Sequence, residues 1–195
     1  MKSNIGPKIL LGIIVIGAIS IAGICIYGNT PAGKAEKEKN LAASAAASAS
    51  EAAEIKRNAV LDVTQFAEIK PDKLVKIMGK PSKTYKDKGD DADTYYDYNN
   101  SKYWCEFTIT DNAVKKLEIK SQKYYSGKGK DFTFYDTEKD NLKAFGVVPK
   151  YQYTEKNTGL AMNLYDGITD TISAMKFQLI DQDNKTFQVL WVDYI

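Results

Sequence analysis

The segment from Tyr103 to Ile109, YWCEFTI, carries the side chains with the most distinctive chemistry in this 195-residue sequence. Side chains alternate between the two faces of a strand, so Cys105 and Phe107 fall on one face and Trp104 and Glu106 on the other. The first face is apolar, which predicts that it points into the core. Trp104 is therefore expected on an exposed face, where a large aromatic ring offers contact area to a protein partner.

Aromatic and charged residues of the neighbouring strands are predicted to surround Trp104, because antiparallel strands bring same-face residues side by side. The predicted partner-binding residues are Tyr95, Asp97, Trp104, Glu106, Lys116 and Lys120. The alternative is that a further layer of the protein covers these side chains, in which case their role is structural.

Several other kinds of site are excluded or poorly matched. The sequence has no His, which excludes the Ser-His-Asp triad and His-ligated zinc. The aspartates of residues 87–93, DKGDDAD, lack EF-hand spacing and predict a solvated turn. Residues 127–130, GKGK, lack the spacing of a phosphate-binding loop and predict a linker. Cys105 is expected to be a small buried apolar side chain. We therefore predict no catalytic residue, metal or cofactor.

The charge balance also restricts the class of partner. From residue 59 onward the chain holds 20 Lys and 21 acidic residues, so the positive charge of the whole chain belongs to the segment before it. A nucleic-acid partner is not indicated. The scattered carboxylates leave one enzymatic alternative, a small carboxylate-dependent envelope hydrolase, although the sequence reveals no apolar frame around any carboxylate pair.

An uncharged apolar run from Ile9 to Tyr27 predicts a transmembrane anchor, because 19 helical residues span about 28 Å. Lys2 and Lys8 precede it, so residues 1–8 are expected in the cytoplasm and the remainder of the chain outside. A cleaved signal peptide and lipidation at Cys25 are the alternatives. The apolar run is longer than the core of most signal peptides, and Ile24 is not the small residue that lipidation requires before the cysteine.

Residues 28–58 are predicted to form a stalk, since Ala, Ser and charged residues dominate and no apolar stripe is present. The many alanines favour a helix, whereas a disordered tether is the alternative. Either interpretation starts the folded domain near residue 59.

The folded part is predicted to be α+β, with two helix-plus-three-stranded antiparallel repeats over residues 59–130 and 131–195. Helices are expected from Pro71, ended by Gly79, and from Thr137 to Phe145, ended by Gly146. The predicted strands of the first repeat cover residues 94–98, 103–110 and 114–120, and those of the second cover residues 159–165, 172–180 and 186–194.

The segment DKLVKIMGKPSK, followed by an aromatic strand, WCEFTI and VKKLEIK, resembles small bacterial envelope modules in which a helix ending in "hydrophobic-Gly-x-Pro" precedes an antiparallel sheet. The tandem form is similar to beta-lactamase inhibitory protein, and single copies occur in small lipoproteins of outer-membrane assembly. The resemblance implies protein binding rather than catalysis. The expected function is thus a membrane-anchored, extracytoplasmic protein-binding module of the cell envelope, whose partner is another extracytoplasmic protein.

Overall fold

The computed structural model describes residues 31–89, 92–150, 154–157, 162–180 and 185–195. The chain divides into two compact units, Met1–Ala49 and Ser50–Ile195. The predicted anchor, residues 9–27, lies outside the described residues. Within the described part, no helix is both long and apolar enough to cross a membrane.

Helix α1, Pro31–Asn58, is a 28-residue helix that covers most of the predicted stalk. Its alanines favour the helical backbone, and Lys56 and Arg57 lie in the last turn, where positive charge complements the helix dipole. The side chains described from residue 34 to residue 50 are all exposed. Of the two interpretations of the stalk, the helix is the one observed.

The remaining elements lie between residues 63 and 194. A 3-10 turn covers Val63–Phe66, and the later helices are α2 (Pro71–Met78), α3 (Gln122–Ser126) and α4 (Glu138–Lys143). The strands of the first half are β1 (Lys83–Lys86), β2 (Thr94–Asn99), β3 (Tyr103–Thr110) and β4 (Ala113–Ser121). They are followed by β5 (Phe132–Thr133), β6 (Thr154–Asn157), β7 (Met162–Asp166), β8 (Ile172–Leu179) and β9 (Thr186–Tyr194).

The sheet is antiparallel and runs in the order β1-β2-β3-β4-β9-β8-β7-β6, with β5 paired to β9. The prediction of an α+β fold with an antiparallel sheet is confirmed. The prediction of three strands per half is wrong, because the first half contains four strands, β1 to β4, and the described part of the second half contains five, β5 to β9. Two of the additional strands, β1 and β6, lie at the ends of the strand order. Both are short, polar edge strands without the apolar alternation that identifies a half-buried strand.

Helix α2 forms where Pro71 occupies the first helical position and Asp72 lies in the first turn. Gly79 ends it with a φ of 83°, a conformation that favours glycine. Leu74 anchors the helix through a fully buried side chain. The predicted helix and the residue that ends it are therefore confirmed.

The core lies on one face of the sheet, against the 3-10 turn, α2 and α4. Phe66 of the 3-10 turn contacts Phe107 of β3, with ring centroids 4.9 Å apart. Phe145, just after α4, lies 6.2 Å from Phe177 of β8. The Tyr194 hydroxyl donates a buried 2.8 Å hydrogen bond to the Val63 carbonyl oxygen. Because these contacts cover one face of the sheet, the opposite face is the outer one.

Candidate interaction surface

The polar face of the sheet, which carries Trp104, Glu106 and their cross-strand neighbours, lies opposite the core. Asp97 of β2 pairs with Glu106 of β3, which pairs with Glu118 of β4. The remaining predicted residues share this face, as the pairs Tyr95 with Thr108, Thr108 with Lys116, and Trp104 with Lys120 demonstrate. Alternation along β3 thus predicted the face of each side chain correctly.

Trp104 is nevertheless buried, with only 6% of its surface exposed, which contradicts its predicted exposure. The Tyr125 ring stacks on it with centroids 5.2 Å apart and an interplanar angle of 11°. The Lys120 ammonium lies 4.4 Å from the centroid of the Trp104 ring. Helix α3 and a cross-strand lysine therefore form the covering layer, and Tyr125, 47% exposed, is the accessible ring of the stacked pair.

Helix α3 lies between the predicted strand of residues 114–120 and the predicted linker of residues 127–130, where the sequence pattern predicts no helix. The Ser121 hydroxyl caps the helix by accepting a 3.1 Å hydrogen bond from the Tyr124 backbone N–H. Gly127 ends it in the left-handed conformation, with a φ of 71°. Ser121 and Gly127 are residue types that commonly begin and end a helix, so they are the sequence features that indicate α3. Only five helical residues lie between them, which is too few to show a helical pattern.

A carboxyl pair, Asp97 and Glu106, lies on the β2–β3 part of the polar face. Burial raises the pKa of Asp97, while a hydrogen bond with Glu106 and the charges of Lys83 and Lys120 act in the opposite direction. Burial also raises the pKa of Glu106, although the hydroxyl of Tyr85 donates a hydrogen bond to it. Among the described residues, Asp97 Oδ1 is buried without a hydrogen-bond partner.

The sequence predicts no carboxyl pair with a raised pKa, whereas burial raises the pKa of both Asp97 and Glu106. Long-range pairing of β2 with β3 brings the two carboxyl groups together, and β1 supplies Tyr85. No local spacing encodes that arrangement. Glu118, the third carboxylate of the row, is instead neutralised by Lys120 at 2.9 Å.

The edge of the polar face is formed by stacked tyrosines, Tyr85 and Tyr95, whose centroids are 4.8 Å apart. The Tyr95 hydroxyl donates a 2.8 Å hydrogen bond to Asp87, which raises the pKa of Tyr95 to about 12. The Lys83 ammonium lies 4.6 Å from the centroid of the Tyr85 ring. Tyr95 is thus held by the stacked Tyr85 ring and by the hydrogen bond from its hydroxyl to Asp87.

Cys105 lies on the core face with no exposed surface, as predicted. Burial raises the pKa of its thiol well above the ordinary range. A thiol that stays protonated at neutral pH is a poor nucleophile and a poor metal ligand.

The acidic loop of residues 87–93 is described only in part, because Asp90 and Asp91 lie outside the described residues. Asp87 accepts the hydrogen bond from Tyr95, and Asp93 accepts one of 2.5 Å from the Thr110 hydroxyl. Across the described ranges, no group of three or more Cys, Asp or Glu side chains is placed to hold a metal ion.

Two of the shallow clefts that the described residues form lie beside the sheet. One, of about 320 Å³, lies at the end of the β3–β4 turn and is lined by residues that include Pro71, Lys86 and Asp111. The other, of about 350 Å³, lies between the β2–β3 turn and helix α3. Its lining residues are Asn99, Asn100, Ser101, Gln122, Ser126, Lys128 and Gly129.

No family model and no curated protein matches the sequence. Among solved structures, a cysteine-rich secretory protein from Staphylococcus aureus subsp. aureus Mu50 shares 9% identity at a TM-score of 0.37, with 70% of this chain and 47% of that chain covered. An extracellular protein containing a SCP domain, from Bacillus anthracis str. Ames, shares 11% identity at a TM-score of 0.37, with 67% and 45% covered. This chain spans less than half the length of either protein.

Proposed function

We propose that this protein is a membrane-anchored, extracytoplasmic protein-binding module of the bacterial cell envelope. The observation that carries the proposal is the common face shared by Tyr95, Asp97, Trp104, Glu106, Lys116 and Lys120. Tyr125 joins them by stacking on Trp104. An exposed aromatic ring beside charges of both signs is the composition of a protein interface.

The charges on this face favour a protein partner over a uniform polyanion or polycation. Lys116 is exposed, while Lys120 and Glu118 form an ion pair at its side. Further along the same face, Lys176 contacts Asp193 at 2.7 Å. Mixed charges of this kind give specificity for one complementary surface.

The anchor and the orientation rest on the sequence, namely the uncharged run from Ile9 to Tyr27 behind Lys2 and Lys8. The resemblance to tandem envelope modules such as beta-lactamase inhibitory protein adds support for binding. So does the order of elements, in which α2 precedes β1 to β4 and α4 precedes β6 to β9. We interpret the two halves, meeting at β4 and β9, as duplicated modules.

Site-specific photocrosslinking in the full-length, membrane-inserted protein tests the proposal. A crosslinker at Lys116 is expected to capture one discrete partner, whereas a crosslinker at the exposed Lys139 of α4 is the matched control. Lys120→Glu, which reverses a charge on the polar face, is expected to lower the Lys116 yield about tenfold or more. Equal yields at the two positions, or no saturable product at all, would instead support a purely structural spacer domain.

The alternative function, a carboxylate-dependent hydrolase, is favoured by one observation: Asp97 and Glu106 are paired carboxyl groups whose pKa values are raised by burial. Turnover of cell-wall or peptide substrates that disappears in Glu106→Gln would establish this alternative. An absence of turnover in the wild-type protein would exclude it for those substrates.

A further inference from the structure

We propose that the cleft between the β2–β3 turn and α3 binds an N-acetylated glycan chain. This site goes beyond the protein-binding role of the polar face, with which it shares the exposed Tyr125 ring. Its volume of about 350 Å³ is at the small end of the range for ligand sites, which suits one or two sugar rings in a shallow groove.

The aromatic platform of this site is Tyr125. One side of its ring is stacked on Trp104, and Trp104 is in turn held by Lys120, so the exposed 47% of Tyr125 is supported from beneath. A pyranose ring has a flat face of C–H groups, and such a face packs best on a rigid aromatic surface with a polar edge. Trp104 pairs with Asn99 across the strands, and Tyr125 directly precedes Ser126, so this platform lies beside the cleft that Asn99 and Ser126 line.

The wall of the cleft is held by Gln122, which is only 9% exposed. Its side-chain nitrogen donates hydrogen bonds to Asn99 Oδ1 and to the Asn100 carbonyl oxygen. The Ser126 hydroxyl donates a 2.8 Å hydrogen bond to the Gln122 carbonyl oxygen. The two Gln122 side-chain bonds tie α3 to the β2–β3 turn, and the Ser126 bond lies within α3, so the polar groups lining the cleft are already positioned for a ligand.

The groups left available for a ligand are neutral donors. Asn100 uses its side-chain oxygen to accept bonds from the Lys102 and Tyr103 backbone N–H groups. Within the described part of the chain, its amide nitrogen and the Ser101 hydroxyl have no protein partner. Amide nitrogens and hydroxyls suit sugar hydroxyls and the carbonyl oxygen of an acetamido group.

Charge argues against the other common ligands. No carboxylate lines the cleft, which disfavours a cation, and Lys128 is the single charged residue among the lining side chains. A nucleic acid would require several phosphate contacts. Gly129, with a φ of 82°, packs so closely on Gln122 that an added Cβ would lie 3.3 Å from the Gln122 Cβ.

Titration of the full-length protein in lipid nanodiscs with chitohexaose, a soluble chain of six N-acetylglucosamine units, tests the inference. We expect saturable binding by calorimetry, and binding of cellohexaose, which lacks the acetamido groups, at least tenfold weaker. Lack of saturation up to about 10 mM chitohexaose, or equal affinity for the two oligosaccharides, overturns the proposal.

Three variants locate the binding to this cleft. Tyr125→Ala removes the platform and is expected to weaken chitohexaose binding at least tenfold, while Tyr135→Ala, an equally exposed tyrosine outside the cleft, leaves it unchanged. Ser101→Trp fills the groove from an exposed turn without removing a hydrogen bond, and is expected to abolish binding even if Tyr125→Ala disturbs the fold. Wild-type affinity for chitohexaose in both cleft variants, or an equal loss of affinity in Tyr135→Ala, overturns the assignment.

Lys116→Glu distinguishes this site from the proposed protein interface, because Lys116 lies outside the cleft. We expect this variant to affect capture of the protein partner and to leave chitohexaose binding unchanged.

Discussion

Asp97 and Glu106 face each other across β2 and β3, and the folded protein raises the pKa of both carboxyl groups by burying them. The charged groups around the pair are Lys83 of β1 and Lys120 of β4, and the Tyr85 hydroxyl donates to Glu106. The folded state therefore binds protons more tightly here than the unfolded state does.

Stability is accordingly expected to depend on pH through this pair. The stabilising contribution of the protonated form is fully present below the ordinary carboxyl pKa of about 4 and is lost as pH rises through the raised pKa values of the folded state. Asp97→Asn removes the charge and provides a donor for Glu106, so we expect it to increase the free energy of unfolding by about 1 kcal/mol at pH 7.

Urea unfolding of the wild type and Asp97→Asn at pH 7 and near pH 3.5 measures this effect. The gain should shrink at the lower pH, and Asp136→Asn, in an exposed loop, is the control. A gain that is independent of pH would contradict the coupling between ionisation and stability.

Trp104→Ala is expected to reduce the free energy of unfolding by about 3 kcal/mol, because the ring is buried beneath Tyr125. Tyr125→Ala should cost only about 1 kcal/mol, the value of a partly exposed aromatic stack. Urea melts of both variants make the comparison. If Trp104→Ala reduces the free energy of unfolding by less than Tyr125→Ala does, the Trp104 ring is exposed, as alternation alone predicted.

Gly146→Ala is expected to be among the most destabilising glycine substitutions in the described chain. An added Cβ would lie 2.7 Å from Asp62 Oδ1 and 3.0 Å from the Asp62 Cα, at a φ of 78°. Backbone strain and the clash together should cost about 3 kcal/mol. Gly167, with a φ of 64°, has no atom within 4 Å of an added Cβ, so Gly167→Ala introduces the backbone strain without the clash. We expect Gly167→Ala to reduce the free energy of unfolding by about 1 kcal/mol, and thermal melts of the two variants measure the difference.

Cys105 should resist thiol reagents in the native state, since it is fully buried and its pKa is raised. In a Cys25→Ser background, labelling is expected only after urea unfolds the domain. Stoichiometric labelling of the native protein within minutes would place this thiol at an accessible surface.

The predicted orientation rests on Lys2 and Lys8 before the uncharged run. Protease added to intact spheroplasts is expected to remove a C-terminal epitope tag. Survival of the tag in intact cells, with digestion after lysis, would reverse the orientation.

The regular elements were predictable where local chemistry determines them. Pro71 and Gly79 bracket α2, and alternation along β3 assigns Cys105 to the core and Trp104 to the polar face. Both signals are contained within a few consecutive residues. The bounds of β3 and β9 therefore agree with the predicted ranges.

The parts that escaped prediction depend on contacts between distant residues. Edge strand β1 has no apolar alternation, and it is recognised only by its pairing with β2. The burial of Trp104 requires Tyr125 from a five-residue helix that follows the next strand. The raised pKa values of Asp97 and Glu106 likewise arise from strand pairing, which the sequence does not display.

The central pairing of β4 with β9 determines when this chain is able to fold. Glu118 is paired with Trp191, so the middle of the sheet forms only after nearly all residues of the domain have been synthesised. Strand pairing over such a sequence separation is slow, because a long loop must close before the contacts form. A nascent chain whose β9 is still inside the ribosome therefore lacks the pairing that joins the two halves of the sheet.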